Sequence, residues 1–550
     1  MPSKQMTTPD LTEIPWQPRP TRREFLAYVG MLVAASACGN DDGGGGAKPP
    51  PPPVLPGDPF TLGVASGDPR SESVILWTRL AVDPVNGGGM PGVDVPVIWE
   101  VALSDDFGDI VRTDFVFATP ALAHSVHVDA DGLAPESWYF YRFRVGDDWV
   151  SPTGRTKTLP AEDASPERIR IGLASCQNYK DGYYNSHQFL AQEEVDLIAF
   201  TGDYIYESGV SGTVRDHDGP ELRTLEQYRN RYGLYKSDPN LIAVHANFPW
   251  IMTWDDHEVN NNYAGLVLEV GNEDVTDVLA LRAAAYQAYY EHMPLRVPVP
   301  DEFGFLQIYN SFVIGDLTTV HVLDGRQYRS PLACGGRFGR PCAEVDDPSR
   351  TMLGAEQKQW LIEGLRASTT LWNTIAQQTV FTPVNFNRMF VNPDQWDGYP
   401  PERQELLDVF HELGNIVMLT GDIHASGFAT MNRDQYDAQS EPVGYEVVGT
   451  SISSGGDGDV LLGLGDQAVA LLDNVHFLNS KARGYVICDL SRNRLRAEYR
   501  FVSTVREPQA TLRTEAIFEV DRETLEFVEI EPISSPIGLA AGAAEAHDNK

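Results

Sequence analysis

Four stretches of this chain carry an apolar run into residue types that hold cations: IRIGLASC, VDLIAFTGDYIYE, WIMTWDDHEVNNNY and NIVMLTGDIHASG. In open α/β sheets the carboxyl ends of the strands line the ligand crevice. If each run is a buried strand, their tips deliver Cys176, Asp203, Tyr206, Asp256, His257, Asp422 and His424 to one place.

The residue types indicate the chemistry. A carboxylate such as Asp203 can bridge two cations. A phenol binds well only when a hard, highly charged ion removes its proton, so Tyr206 three residues after Asp203 points to Fe³⁺. A lone tyrosine is ordinarily core packing, and a lone Cys176 would be too; beside a cation, however, the thiol becomes a thiolate ligand. His424 offers an imidazole two residues from Asp422. In the third stretch, Asp255, Asp256, His257, Glu258 and the asparagines 260–262 follow an apolar strand, and burying them requires a counter-charge or water. An amide oxygen from Asn261, with Asp203 and Asp422, gives an all-oxygen environment for Ca²⁺ or another hard divalent ion. Asn260 and Asn262 compete for that role, and Asp256 can approach the same ion.

These tips need a layered scaffold. From Ile169 onward, continuous apolar runs alternate with amphipathic stretches such as TLEQYRNRYGLY and PERQELLDVFHEL, which implies an α/β domain with a covered central sheet. Residues 58–160 instead show short period-two runs between Gly, Asp and Pro clusters, as in an immunoglobulin- or fibronectin-like β-sandwich. At 550 residues the chain exceeds one core. The expected organisation is residues 1–38 as an address, 39–57 as a Gly/Pro-rich linker, a sandwich over 58–160, a catalytic domain over 168–535 and a flexible tail over 536–550.

Composition narrows the partners. A formal charge of −36 opposes broad adhesion to nucleic acid or anionic lipid, so no nucleic-acid partner is expected. Five cysteines are too few for a disulfide scaffold. Cys488 reads as an inert core thiol, and Cys334 and Cys342, flanking a Gly-rich segment, could pair.

The N-terminal PTRREFLAYVGMLVAASAC resembles a twin-arginine export signal, with Arg22 and Arg23 ahead of an apolar stretch shorter than the ~20 residues that span a bilayer. The export machinery is thus an expected partner, and a periplasmic or cell-surface location is expected. Cys38 leaves two outcomes open, cleavage of the signal or lipid attachment at that cysteine.

Taken together, SCQNYKDGYYN, GDYIYE, WDDHEVNNNY, LDGRQYR, WDGYP and GDIHASG resemble the PhoD-type alkaline phosphatase and phosphodiesterase family, as do FTLGVASGDP and VILWTRL in the sandwich. The resemblance implies a metallophosphatase-like αββα sandwich holding ferric iron and one or two calcium ions. Cys176, Asp203, Tyr206 and His424 would surround the iron, and Asp203, Asn261 and Asp422 the calcium. Ser175-Cys176 stands where the wider metallophosphatase pattern has Asp-x-His, and Gly-Asp-Ile-His where Gly-His-x-His is usual, which argues against a di-zinc or di-manganese site. The expected substrate is a small phosphate mono- or diester attacked by activated water. His257 is expected to protonate the leaving group or contact the phosphate, with Asp256 beside it, and Arg326 to neutralise phosphate charge or form an ordinary salt bridge. A phospholipase D-like lipid phosphodiesterase and a non-catalytic, metal-braced surface protein are the competing readings.

Overall fold

The computed structural model describes residues 48–532, except 210–211, 218, 270–274, 276, 302–303, 384–391 and 459–471. Arg22, Arg23, Cys38 and the expected tail at 536–550 lie outside the described residues.

Two sheets stack face to face between layers of helix. In the ten-stranded sheet, Arg168–Ala174, Leu197–Phe200 and Pro249–Met252 run parallel. In the seven-stranded sheet, Thr318–Val322, Trp372–Ala376, Ile416–Thr420 and Pro442–Val448 run parallel. Leu197 and Ala199 face the core between the sheets, with Leu173, Ile251, Val417, Leu419 and Val447. Ile198 and Phe200 face the outer helices, packing with Leu190, Tyr228, Tyr232 and Leu241. Strands buried on both faces must be apolar at every position, which explains the unbroken runs in the sequence. The helices over Leu225–Lys236 and Pro400–Leu413 fall on TLEQYRNRYGLY and PERQELLDVFHEL, and Val278–His292 and Gly354–Ala367 are further helices of these layers. Thr224 and Gln227 close the first of them with a reciprocal capping box.

The N-terminal module is a β-sandwich, but one of its sheets is not its own. Val64–Gly67, Ser73–Arg79 and Ser125–Asp131 form the end of the ten-stranded sheet, joined by parallel pairing of Ser66 with Pro249 and Gly67 with Trp250. Its other face, Val95–Ala102, Ile110–Ala118 and Trp138–Val145, encloses a core of Val74, Leu76, Val97, Val101, Tyr141 and Phe143. The expected break between residues 160 and 168 is therefore crossed by a continuous hydrogen-bonded sheet, and the described residues from Pro49 onward form one compact unit. A side chain at Gly67 would meet the Pro294 carbonyl at 2.4 Å, so only glycine permits this approach. Trp77 Nε1 donates to the Glu291 carbonyl at 3.0 Å, and Arg79 meets His292 at 2.8 Å, pinning the module to the Val278–His292 helix.

Cys334 and Cys342 are disulfide-bonded. Cys488 is fully buried among apolar side chains.

Removing the module uncovers the edge of the strand that ends at Met252. A chain beginning at residue 161 is expected to be insoluble or to lack a cooperative thermal transition; a soluble fragment that unfolds cooperatively contradicts the continuous sheet.

Candidate metal centre

The strand tips converge as their apolar runs require. Arg168–Ala174, Leu197–Phe200 and Pro249–Met252 deliver Cys176, Asp203 and the Asp255–Glu258 turn from one sheet, and Ile416–Thr420 delivers Asp422 and His424 from the other. Cys176, Asp203, Asp422 and His424 all take left-handed φ angles, between 54° and 64°. Outside glycine each such residue costs about 1 to 3 kcal/mol, a strain that marks functional turns. Gly202, at φ 107°, makes the approach possible: a side chain there would meet Asp255 N at 2.5 Å.

Three overlapping groups of cation-binding atoms result, each with all its atoms within 4.8 Å of one another: Cys176, Asp203 and His424; Asp203, Asp256 and His257; Asp255, Asp256 and Asp422. Asp203 links the first two and Asp256 the last two. Tyr206 Oη joins the first group, donating to Asp203 Oδ2 at 2.7 Å and lying 3.2 Å from His424 Nε2. The sulfur, phenol, imidazole and carboxylate expected together are thus together. Asp422, expected beside Asp203, is grouped with Asp255 and Asp256.

Burial governs the protonation of this cluster. It raises the pKa of Cys176 and Tyr206 well above their ordinary ranges, and nearby Asp203 adds to both shifts. Burial also raises Asp203 and Asp255, and lifts Asp422 to about 6 with help from Asp394. Burial opposes ionisation of Asp256 as well, but Arg326 and His257 outweigh it and hold that carboxyl below its ordinary value. His424 is lowered to about 3 by burial and Arg483, so its imidazole is neutral and able to ligate. Burial disfavours the charged form of His257, yet Glu207, Asp203 and Asp256 raise its pKa. Asp255 Oδ2 and Asp256 Oδ1 are buried with no hydrogen-bond partner. Such orphaned oxygens cost about 1 to 3 kcal/mol each unless something binds them, and the surrounding donor set suits hard cations.

The structure bears on two points that the sequence left open. Arg326 is fully buried and committed to carboxylates: its Nε pairs with Asp255, and its terminal nitrogens reach Asp394 at 2.7 Å and Asp422 at 3.4 Å. Of the two roles expected of it, these ion pairs support the salt bridge, in which Arg326 is an internal counter-ion to the acidic cluster. Asn261 is held by its amide nitrogen, which donates to Glu269 at 2.6 Å, and by its backbone N–H, which donates to Glu207 at 2.9 Å. Of the three consecutive asparagines, Asn260 has a buried side-chain oxygen without a hydrogen-bond partner.

The structure adds Glu207, Asp394 and Gln395, which sequence reasoning passed over, and gives Glu258 of the third stretch a definite role. Glu207 accepts from His257 Nδ1 at 2.7 Å. Glu258 accepts the backbone N–H groups of Tyr204 at 2.6 Å, Asp255 at 2.8 Å and Asp203 at 3.2 Å, tying two ligand turns together. Asp394 and Gln395 reach the site through Arg326 and Asp422. Glu207 sits inside a motif already read, so adjacency could have flagged it; Asp394 and Gln395 carry no local signal. Trp396, in the WDGYP run, is buried and donates to Gln377 at 3.0 Å.

Residues 171–499 match the PhoD-like phosphatase family and residues 47–160 match the N-terminal domain of PhoD-like phosphatases. The chain is 47% identical to alkaline phosphatase D of Bacillus subtilis (strain 168) over 476 residues, which cover 84% of this chain and 81% of that protein. A solved structure of PhoD superposes with a TM-score of 0.84 at 45% identity, covering 87% of this chain and 94% of the other.

The burial of Arg326 makes a prediction. Arg326→Met leaves several carboxylates without their counter-ion and is expected to lower stability by ~3–5 kcal/mol in urea denaturation. A raised KM with unchanged stability would restore the phosphate-binding role.

Proposed function

The chain belongs to the PhoD-like phosphatase family and is a metal-dependent phosphoester hydrolase; we propose that it works with ferric iron at Cys176, Asp203, Tyr206 and His424 and with calcium at the adjoining carboxylates. One observation carries this reading: Asp203 belongs both to the group with thiol and imidazole and to the group with Asp256 and His257. The phenol favours a hard, highly charged ion that can displace its proton and the thiol adds a soft ligand that iron accepts, while the carboxylate side favours a divalent ion with oxygen ligands. Calcium would take its oxygens from Asp203, Asp256 and Asp422, with an asparagine amide from the 260–262 run, Asn261 or Asn260, completing the set.

When bound, the cations supply Lewis acidity toward the phosphoryl oxygens and the attacking water. His257 holds the proton that the departing ester oxygen requires. Its Nδ1 is fixed by Glu207, its backbone N–H donates to Asp203 Oδ1 at 3.3 Å, and its ring packs on Tyr206 with centroids 4.1 Å apart. That arrangement leaves Nε2 to donate to the leaving group. Asp256, held by the Asn262 N–H at 2.7 Å, keeps negative charge beside the imidazolium.

Location is part of the proposal. The twin arginines at Arg22 and Arg23 support export of a folded, metal-loaded chain, and the Cys334–Cys342 disulfide supports an oxidising compartment. Cys38 serves either as the residue after signal cleavage or as a lipid anchor. Replacing both arginines with lysine is expected to leave active enzyme inside the cell; undiminished export would overturn the route.

The catalytic reading is tested by chelation and by substitution. Stripping metal is expected to abolish phosphate release and visible colour together while the fold persists. Asp203→Asn is expected to lower kcat by at least ~10³-fold, as loss of a ligand linking two cation sites would. Full turnover in either preparation contradicts the proposal.

A further inference from the structure

A fifth strand tip enters the site, from a segment without any metal-ligand signature. Pro442–Val448 pairs in parallel with Ile416–Thr420, so its carboxyl end emerges beside Asp422 and His424, and the chain continues as Gly449-Thr450-Ser451-Ile452-Ser453-Ser454-Gly455. This turn is stitched to the Cys176 turn. Ile452 N donates to the Ser175 carbonyl at 2.9 Å and Ser454 N to the Cys176 carbonyl at 3.2 Å. Arg483, itself buried, holds it from the other side, donating to the Ser454 carbonyl at 2.6 Å and the His424 carbonyl at 3.1 Å.

Ser454 is fully buried, and its hydroxyl has three partners. It accepts from the Asn178 N–H at 3.0 Å and lies 2.7 Å from both the Cys176 carbonyl and Tyr206 Oη. A serine hydroxyl has one proton to give. Two acceptors therefore compete for it, one the backbone of Cys176 and the other the phenol oxygen. The Tyr206 proton already points to Asp203 Oδ2, which leaves Oη open to accept.

We propose that Ser454 is a positioning residue that donates its hydroxyl proton to Tyr206 Oη, fixing the phenol oxygen against the Cys176 turn and setting how strongly it donates electrons to a bound cation. The inference rests on the iron reading given above and names a residue that tunes it. A hydrogen bond to a phenolate lowers the energy of its donor electrons, so removing it shifts a phenolate-to-iron charge-transfer band to longer wavelength. Outer partners of this kind are worth about 10–100-fold in metal affinity or activity.

The test compares visible spectra and metal retention in purified, metal-loaded wild type, Ser454→Ala and Ser453→Ala. Ser453 Oγ donates to the Asn178 carbonyl at 2.8 Å, so it braces the same turn through another hydroxyl. Ser454→Ala is expected to move the band to longer wavelength and to shorten the half-time of iron loss to a chelator by about 10–100-fold, while Ser453→Ala keeps the wild-type band. If Ser454→Ala does not fold, Ser454→Gly removes the same hydroxyl without adding volume and is expected to give the same shift. A band unmoved by loss of the Ser454 hydroxyl, or moved equally by Ser453→Ala, overturns the inference alone. A wild-type protein without the band overturns the iron reading and the inference with it.

Discussion

Negative charge held away from water is the constraint on which this structure depends. Asp203, Asp255, Asp256, Glu258 and Asp394 are buried close together, with a thiol and a phenol beside them. Arg326 and Arg329 balance part of this charge through Asp255 and Asp394, but Asp255 and Asp256 each keep an oxygen without a partner. Bound cations would complete the balance, and left-handed turns at Cys176, Asp203, Asp422 and His424 shape the place that would hold them. That strain is sustained by Glu258 and Arg483, each of which binds several backbone groups of the ligand turns at once.

The two-sheet architecture follows from the same requirement. Parallel strands point all their carboxyl ends one way, so stacking two such sheets brings tips from both to a shared edge. The N-terminal module then acts as more than an appendage. By pairing with Pro249–Met252 it caps the parallel run at the strand that leads into Asp255, Asp256 and His257, and it closes an edge that would otherwise expose backbone groups. The comparison with alkaline phosphatase D excludes the non-catalytic reading of this scaffold.

Much of the centre was legible in the sequence because strand tips announce themselves twice, by an apolar run and by the polar residues that end it. Cys176, Asp203, Tyr206, Asp422 and His424 were found this way, and the layered fold with them. Partner choice was not legible. Arg326 in LDGRQYR is equally consistent with phosphate or carboxylate until Asp255 and Asp394, distant in sequence, arrive around it. The choice among the three asparagines was equally illegible, because consecutive identical residues carry no mark of which oxygen lies buried without a partner. Ser454 sits at a strand tip too, but serine and glycine carry no charge to mark it. The short strand Val64–Gly67 gave no hint that its partner lay almost two hundred residues on.

The most direct test of a centre built around Asp203 is anomalous X-ray diffraction at the iron edge from crystals of the purified protein. The account predicts a strong iron peak enclosed by Cys176 Sγ, Asp203, Tyr206 Oη and His424 Nε2, with a second, non-iron ion on the far side of Asp203. An active crystalline enzyme with no anomalous peak there, or with iron bound away from the thiol and phenol, would contradict it.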